Sequence, residues 1–92
     1  MKITSKYISV SATVIDSTLY AIRKSLMKKH GVDGSARIID PLVWYINSGR
    51  ASTAFLGKLI EAKPFMVGRV LEKGGSHDEA VRNVKKYIGY TD

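Results

Sequence analysis

The chain has no cysteine, which excludes a disulfide framework and a thiolate metal site. Small secreted domains usually carry disulfide bridges, so their absence leads us to expect a reducing, cytoplasmic setting. Long apolar runs are lacking too. Met1-Lys2-Ile3-Thr4-Ser5-Lys6 begins like a signal peptide, but Ser9, Ser11, Thr13 and Asp16 break the stretch that follows. No apolar segment approaches a membrane span, and no membrane partner is expected. Acidic residues are scarce: eight Asp and Glu stand against fifteen Lys and Arg, a formal charge of +7 with a sequence pI near 9.8. That balance suits phosphate backbones or acidic protein faces.

What is present describes one domain spanning residues 1–92. Of the 92 residues, 45% are hydrophobic and 25% charged, enough apolar side chain for a core and too little charge for disorder. The positive surplus is uneven. Residues 1–30 carry six basic side chains and one acid, residues 31–75 six and four, and residues 76–92 three of each.

Turn signals divide the chain. Tyr7–Val14 is rich in β-branched residues and reads as a strand. Asp16 can cap a helix that runs to His30 and stops at Gly31. Within it Ile15, Leu19, Ile22 and Leu26 recur at helical spacing and should face the core, with Lys24 and Lys28 opposite and Arg23 snorkelling at the edge. Near the end, Gly74-Gly75 breaks the chain and Ser76 with Glu79 forms a capping box. Ala80, Val81, Val84, Tyr87 and Ile88 then make one apolar stripe, closed by Gly89.

The middle admits two readings. In one, 37–46, 51–62 and 65–73 are antiparallel strands, with turns at Asn47-Ser48-Gly49-Arg50 and Ala62-Lys63-Pro64. In the other, helices run from Pro41, Thr53 and Pro64. Phe55, Leu56, Leu59 and Ile60 match a helix better, but Gly57 and Gly68 would each cost about 1 kcal/mol inside one. The strand reading is preferred on that cost. It gives an α+β fold, β-α-β-β-β-α, with an antiparallel sheet and two helices.

In element order, residues 16–88 then resemble double-stranded-RNA-binding domains, whose α-β-β-β-α core ends in a glycine turn and a capped helix. That family opens its last helix with basic residues that straddle phosphates. Here His77, Asp78 and Glu79 stand in those places, and two carboxylates would repel a phosphate. In the helical reading, Leu56–Leu71 resembles the helix-turn-helix of small repressors. Gly57 takes the small position, Val67 and Val70 are buried, and Lys63, Phe65, Met66 and Arg69 would face the major groove. The tight turn holds Glu61 where that family favours glycine.

The remaining motifs carry little chemistry. Neither His30 nor His77 has a second ligand at metal spacing. No nucleophile motif or phosphate loop occurs, so neither enzyme activity nor a cofactor is expected. Trp44 and Tyr45 fit base stacking, core packing or an interface anchor. Arg82 has Asp78 and Glu79 one turn earlier and should pair with them.

A stand-alone, cysteine-free, basic domain of this size is similar, in size and segment order, to some anti-CRISPR proteins acting on type I-F surveillance complexes. The resemblance implies a compact phage-made wedge that binds Cas subunits and guide RNA and blocks hybridisation of target DNA. The expected partner is accordingly a nucleoprotein or a nucleic acid, and the alternative is a DNA-binding regulator using residues 56–71. The expected contact residues are Arg23, Lys24, Lys28, Lys29, Arg50, Lys58, Arg69, Lys85 and Lys86.

Overall fold

The computed structural model of the protein describes residues 2–4 and 9–90, with side-chain surroundings from Ser11 onward. Its architecture is all-α. Strands β1 (Lys2–Thr4) and β2 (Ser9–Ser11) form a three-rung antiparallel ladder, Lys2 opposite Ser11 and Thr4 opposite Ser9. Four helices follow among the described residues: α1 (Ala12–Asn47), α2 (Thr53–Glu61), α3 (Pro64–Glu72) and α4 (His77–Ile88). None of them is long and apolar enough to cross a membrane.

The expected α+β fold is therefore corrected. The segments read as strands, 37–46, 51–62 and 65–73, lie in helices and the turns between them. With them goes the three-strand core on which the likeness to double-stranded-RNA-binding domains depended. The strand expected at 7–14 survives only as Ser9–Ser11, since Ala12–Val14 already turn as helix and residues 7–8 fall outside those described. The N-cap of α1 is Ser11 in place of Asp16: the Ser11 hydroxyl accepts the Val14 N–H at 3.1 Å.

Packing explains why helix wins. In α3, Val67 and Leu71 are buried while Phe65 and Arg69 are exposed, so burial repeats at i, i+4 and not at i, i+2. Gly68 costs helix propensity, but a Cβ there would stand 2.9 Å from Ser25 Oγ and 3.2 Å from Leu26 Cγ. The missing side chain is what lets α3 press onto α1. In α2, Phe55, Leu56 and Leu59 are buried, and Ser52 caps the helix by accepting the Phe55 N–H at 3.0 Å. Pro41 does not start a helix. It sits buried inside α1, where its ring removes one main-chain hydrogen bond.

Gly31 stops the first helical segment as expected. At φ 74° and ψ 178° it divides α1 into two limbs, residues 12–30 and 32–47, in a conformation that only glycine adopts readily. Against these limbs α3 packs most extensively, α4 next to it, and α2 lies on α1 and on β2. Ile22, Leu42, Phe55, Leu56, Leu59, Val67 and Val84 are fully enclosed, each contributing about 1.5–3 kcal/mol by leaving water. Phe55 is central: Tyr45 and Tyr90 meet it edge-on, centroids 5.2 and 5.6 Å away.

The last helix follows its sequence signals. Ser76 Oγ accepts the Glu79 N–H at 3.2 Å, Ala80 and Val84 are buried, and Gly89 closes the helix in the left-handed region. One detail differs: the Glu79 carboxylate reaches back to the Gly75 N–H, at 3.4 Å.

Candidate nucleic-acid interface

The close approach at Gly68 lays α3 beside the end of the first limb of α1, and an open cleft of about 740 Å3 runs between them. Leu26 and Ile38 supply apolar lining. Lys28 and Lys29 come from the last turn before Gly31, Arg69 from α3, and Lys73 from its C-cap. Phe65, one turn ahead of Arg69, is 57% exposed, and the Arg69 guanidinium carbon lies 5.8 Å from its ring centroid. Four cations thus border one cleft with an exposed ring among them, the combination that holds nucleic-acid backbones.

Among the described residues a single carboxylate lines the cleft, Glu72, and it is engaged. His30 Nε2 hydrogen-bonds it and Lys29 Nζ stands 3.4 Å away. The hydrogen bond from His30 is the main reason that Glu72 titrates below its usual range. Burial opposes this, and Lys29 adds to it. Because Glu72 is held by its neighbours, its charge is largely spent inside the cleft and repels an incoming phosphate less.

The expected contact residues divide. Lys28, Lys29 and Arg69 are brought together. Lys24 is exposed one turn before Lys28, its ammonium 6.0 Å from the Tyr20 ring, but does not line the cleft. Arg23 is half-buried at the edge of the core, its guanidinium also 6.0 Å from Tyr20, and its Nε is buried without a hydrogen-bond partner among the described residues. Lys86 shares an adjoining hollow with Lys73, Val70 and Tyr87, which extends the basic strip along α3. Lys58 lies apart, beside Glu61 and Tyr87. Arg50 and Lys85 line a different hollow with Trp44 and Tyr45.

Lys73 joins the site beyond the expected contact residues. Its signal was present, since it stands four residues after Arg69 and eight after Phe65, on one face of a helix. Arg82 departs from expectation as well: it makes no ion pair with Asp78 or Glu79 among the described residues. Among the described residues no group of three or more His, Cys, Asp or Glu side chains is placed to hold a metal ion. Comparison with models of protein families, with curated proteins and with solved structures gives no match.

Proposed function

We propose that the protein is a non-enzymatic DNA-binding protein that sets α3 and the adjoining end of α1 against the backbone of a duplex. The observation that carries this reading is the meeting of Lys28, Lys29, Arg69 and Lys73 around one cleft whose lining carboxylate, Glu72, is already hydrogen-bonded. The helix-turn-helix register supports it. A two-residue turn, Ala62-Lys63, joins α2 to α3, Val67 is buried and Val70 half-buried, and Lys63, Phe65 and Arg69 are exposed. Within that surface Arg69 is the side chain that can pair with a guanine edge, and Phe65 suits a thymine methyl. The backbone contacts carry most of the affinity, and base preference is short and modest.

Fluorescence anisotropy with a labelled duplex, titrated at several salt concentrations, tests the proposal. Four phosphate contacts give a log–log slope of about −3 to −4. Lys28→Ala or Lys73→Ala should reduce it by about one, evenly across sequences, and Arg69→Ala should also relax base preference. A slope indifferent to Lys28 and Lys73 refutes the reading.

A second reading, a phage inhibitor wedged onto an RNA-guided CRISPR surveillance complex, draws on the exposure of Phe65 and of Tyr20, 57% and 54%. Large aromatic side chains beside cations suit a target that offers both protein and RNA. Such a protein would bind the assembled complex far more tightly than free duplex in the same titration.

A further inference from the structure

Away from the cleft, the last turn of α1 carries Trp44-Tyr45, whose neighbouring side chains have opposite fates. Tyr45 is 9% exposed and packs on Phe55, while Trp44 is 52% exposed. The chain then reverses at Gly49, which takes φ 81° and donates its N–H to the Ile46 carbonyl at 3.2 Å. That reversal returns Arg50 over the indole, its guanidinium carbon 5.0 Å from the ring centroid. Facing them across an open hollow of about 490 Å3 is α4, with Arg82 and Lys85 on its wall. Asp78 is the single acid lining it, and neither Arg50 nor Arg82 makes an ion pair among the described residues. Among the described residues none lines both this hollow and the α1–α3 cleft.

The indole is half-exposed with a guanidinium beside it, and an exposed aromatic ring next to cations can stack on a base. Arg50 lies over the ring, and a guanidinium so placed is still able to turn its N–H groups towards an anion. An aromatic platform edged by guanidinium groups is the arrangement that holds a nucleobase by its face and its phosphates by charge. A duplex keeps its base faces stacked inside, so only an unpaired strand can offer both. We propose that the Trp44 face is a second nucleic-acid site, specific for single strands, in which a base stacks at Trp44 and the flanking phosphates meet Arg50 and Arg82. The site adds to the duplex reading of the cleft and stands on different residues.

Trp44 is the only tryptophan, so its emission reports on this face alone. Titrating the full-length protein with oligo(dT) should quench that emission saturably, while a duplex of the same length quenches it at least about tenfold less effectively. Arg50→Ala with Arg82→Ala should weaken the oligo(dT) titration about tenfold or more, and Trp44→Ala should do the same by anisotropy of a labelled strand. Lys28→Glu with Lys29→Glu should leave the quenching within about threefold of the parent. Circular dichroism confirms that each variant is folded. Quenching lost in the Lys28/Lys29 variant would make the two faces one site and overturn the proposal, as would equal quenching by duplex. Quenching by poly-glutamate as strong as by oligo(dT) would assign the face to an acidic protein segment instead. Failure of the duplex reading appears separately, in the anisotropy of Lys28 variants on duplex, and leaves the Trp44 signal intact.

Discussion

Two adjacent glycines make the same chemical substitution a sharp test of how the end of α3 meets α4. A Cβ at Gly74 would lie 2.6 Å from the Cβ of Ala80, 2.7 Å from its Cα and 3.0 Å from its nitrogen. Those atoms cannot rotate away. Ala80 is 2% exposed, and its N–H is bonded to the Ser76 carbonyl at 2.9 Å in the first turn of α4. The added methyl must therefore displace the end of α3 or the start of α4. Overpacking of this kind costs about 1–3 kcal/mol, offset by about 0.4–1 kcal/mol from the stiffer unfolded chain. At Gly75 the nearest foreign atom is Glu79 Oε2, at 3.6 Å, an ordinary contact. There the chain-stiffening gain remains, and neither glycine has a positive φ to strain. Gly74→Ala should thus lower stability by about 1–2 kcal/mol while Gly75→Ala is neutral or slightly stabilising. In a domain of this size each kcal/mol moves Tm by about 4–8 °C. Urea unfolding followed by helical circular dichroism would measure both variants at a common m-value. Coincident midpoints, or Gly75→Ala as the weaker protein, would refute the contact between Gly74 and α4.

Three further outcomes follow from named contacts. Ser76→Ala removes the acceptor for the Glu79 N–H and should cost about 1 kcal/mol in the same unfolding assay without changing duplex affinity. Glu72 ionises below its usual 4.5 in the folded protein, chiefly through its hydrogen bond from His30. The stability it contributes is therefore complete above about 4.5 and is lost as pH falls through the lower folded value. Glu72→Gln should flatten the urea midpoint against pH below that point, and by freeing Lys29 it should also tighten duplex binding. Lys24→Ala should leave the salt slope of duplex binding nearly unchanged where Lys28→Ala lowers it by about one, because Lys24 does not line the cleft.

The helices that could be read from the sequence are those whose start, stop and stripe agree. Ser76, Gly89 and the Ala80–Val84 spacing define α4 without help from elsewhere, and Gly31 ends the first limb for a reason local to its own φ. In the middle the helical alternative places the starts of α2 and α3 at Thr53 and Pro64 as observed, and the preferred strand reading fails because the decisive contact is not local. Gly68 looks like a helix breaker on propensity alone, and only the nearness of Ser25 and Leu26, more than forty residues away, turns it into a packing device. Phe65, Val67, Arg69 and Leu71 stand two residues apart, as on one face of a strand, so two periods coincide in this segment. Val67 and Leu71 satisfy both the i+2 and the i+4 pattern, whereas exposed Phe65 and Arg69 satisfy only the second.

The same distinction explains how the candidate site divided. Sequence places Lys28 and Lys29 in one helical turn, so they could be grouped before any fold was known, and charge density alone pointed to that region. It cannot say which distant cation meets them. Arg69 and Lys73 arrive because Gly68 seats α3 on α1; on a strand the two would share a face but stand roughly 13 Å apart, whereas a helix makes them neighbours one turn apart. Arg82 was misjudged in the opposite direction. Its neighbours Asp78 and Glu79 sit at ion-pair spacing, but the Glu79 carboxylate is turned back to the Gly75 N–H. Capping the helix and pairing with Arg82 are alternative uses of one side chain, and here the cap prevails. Arg82, which makes no ion pair among the described residues, lines the second hollow together with Trp44. A residue assigned to surface neutralisation by its spacing thereby becomes part of a candidate binding face by its geometry.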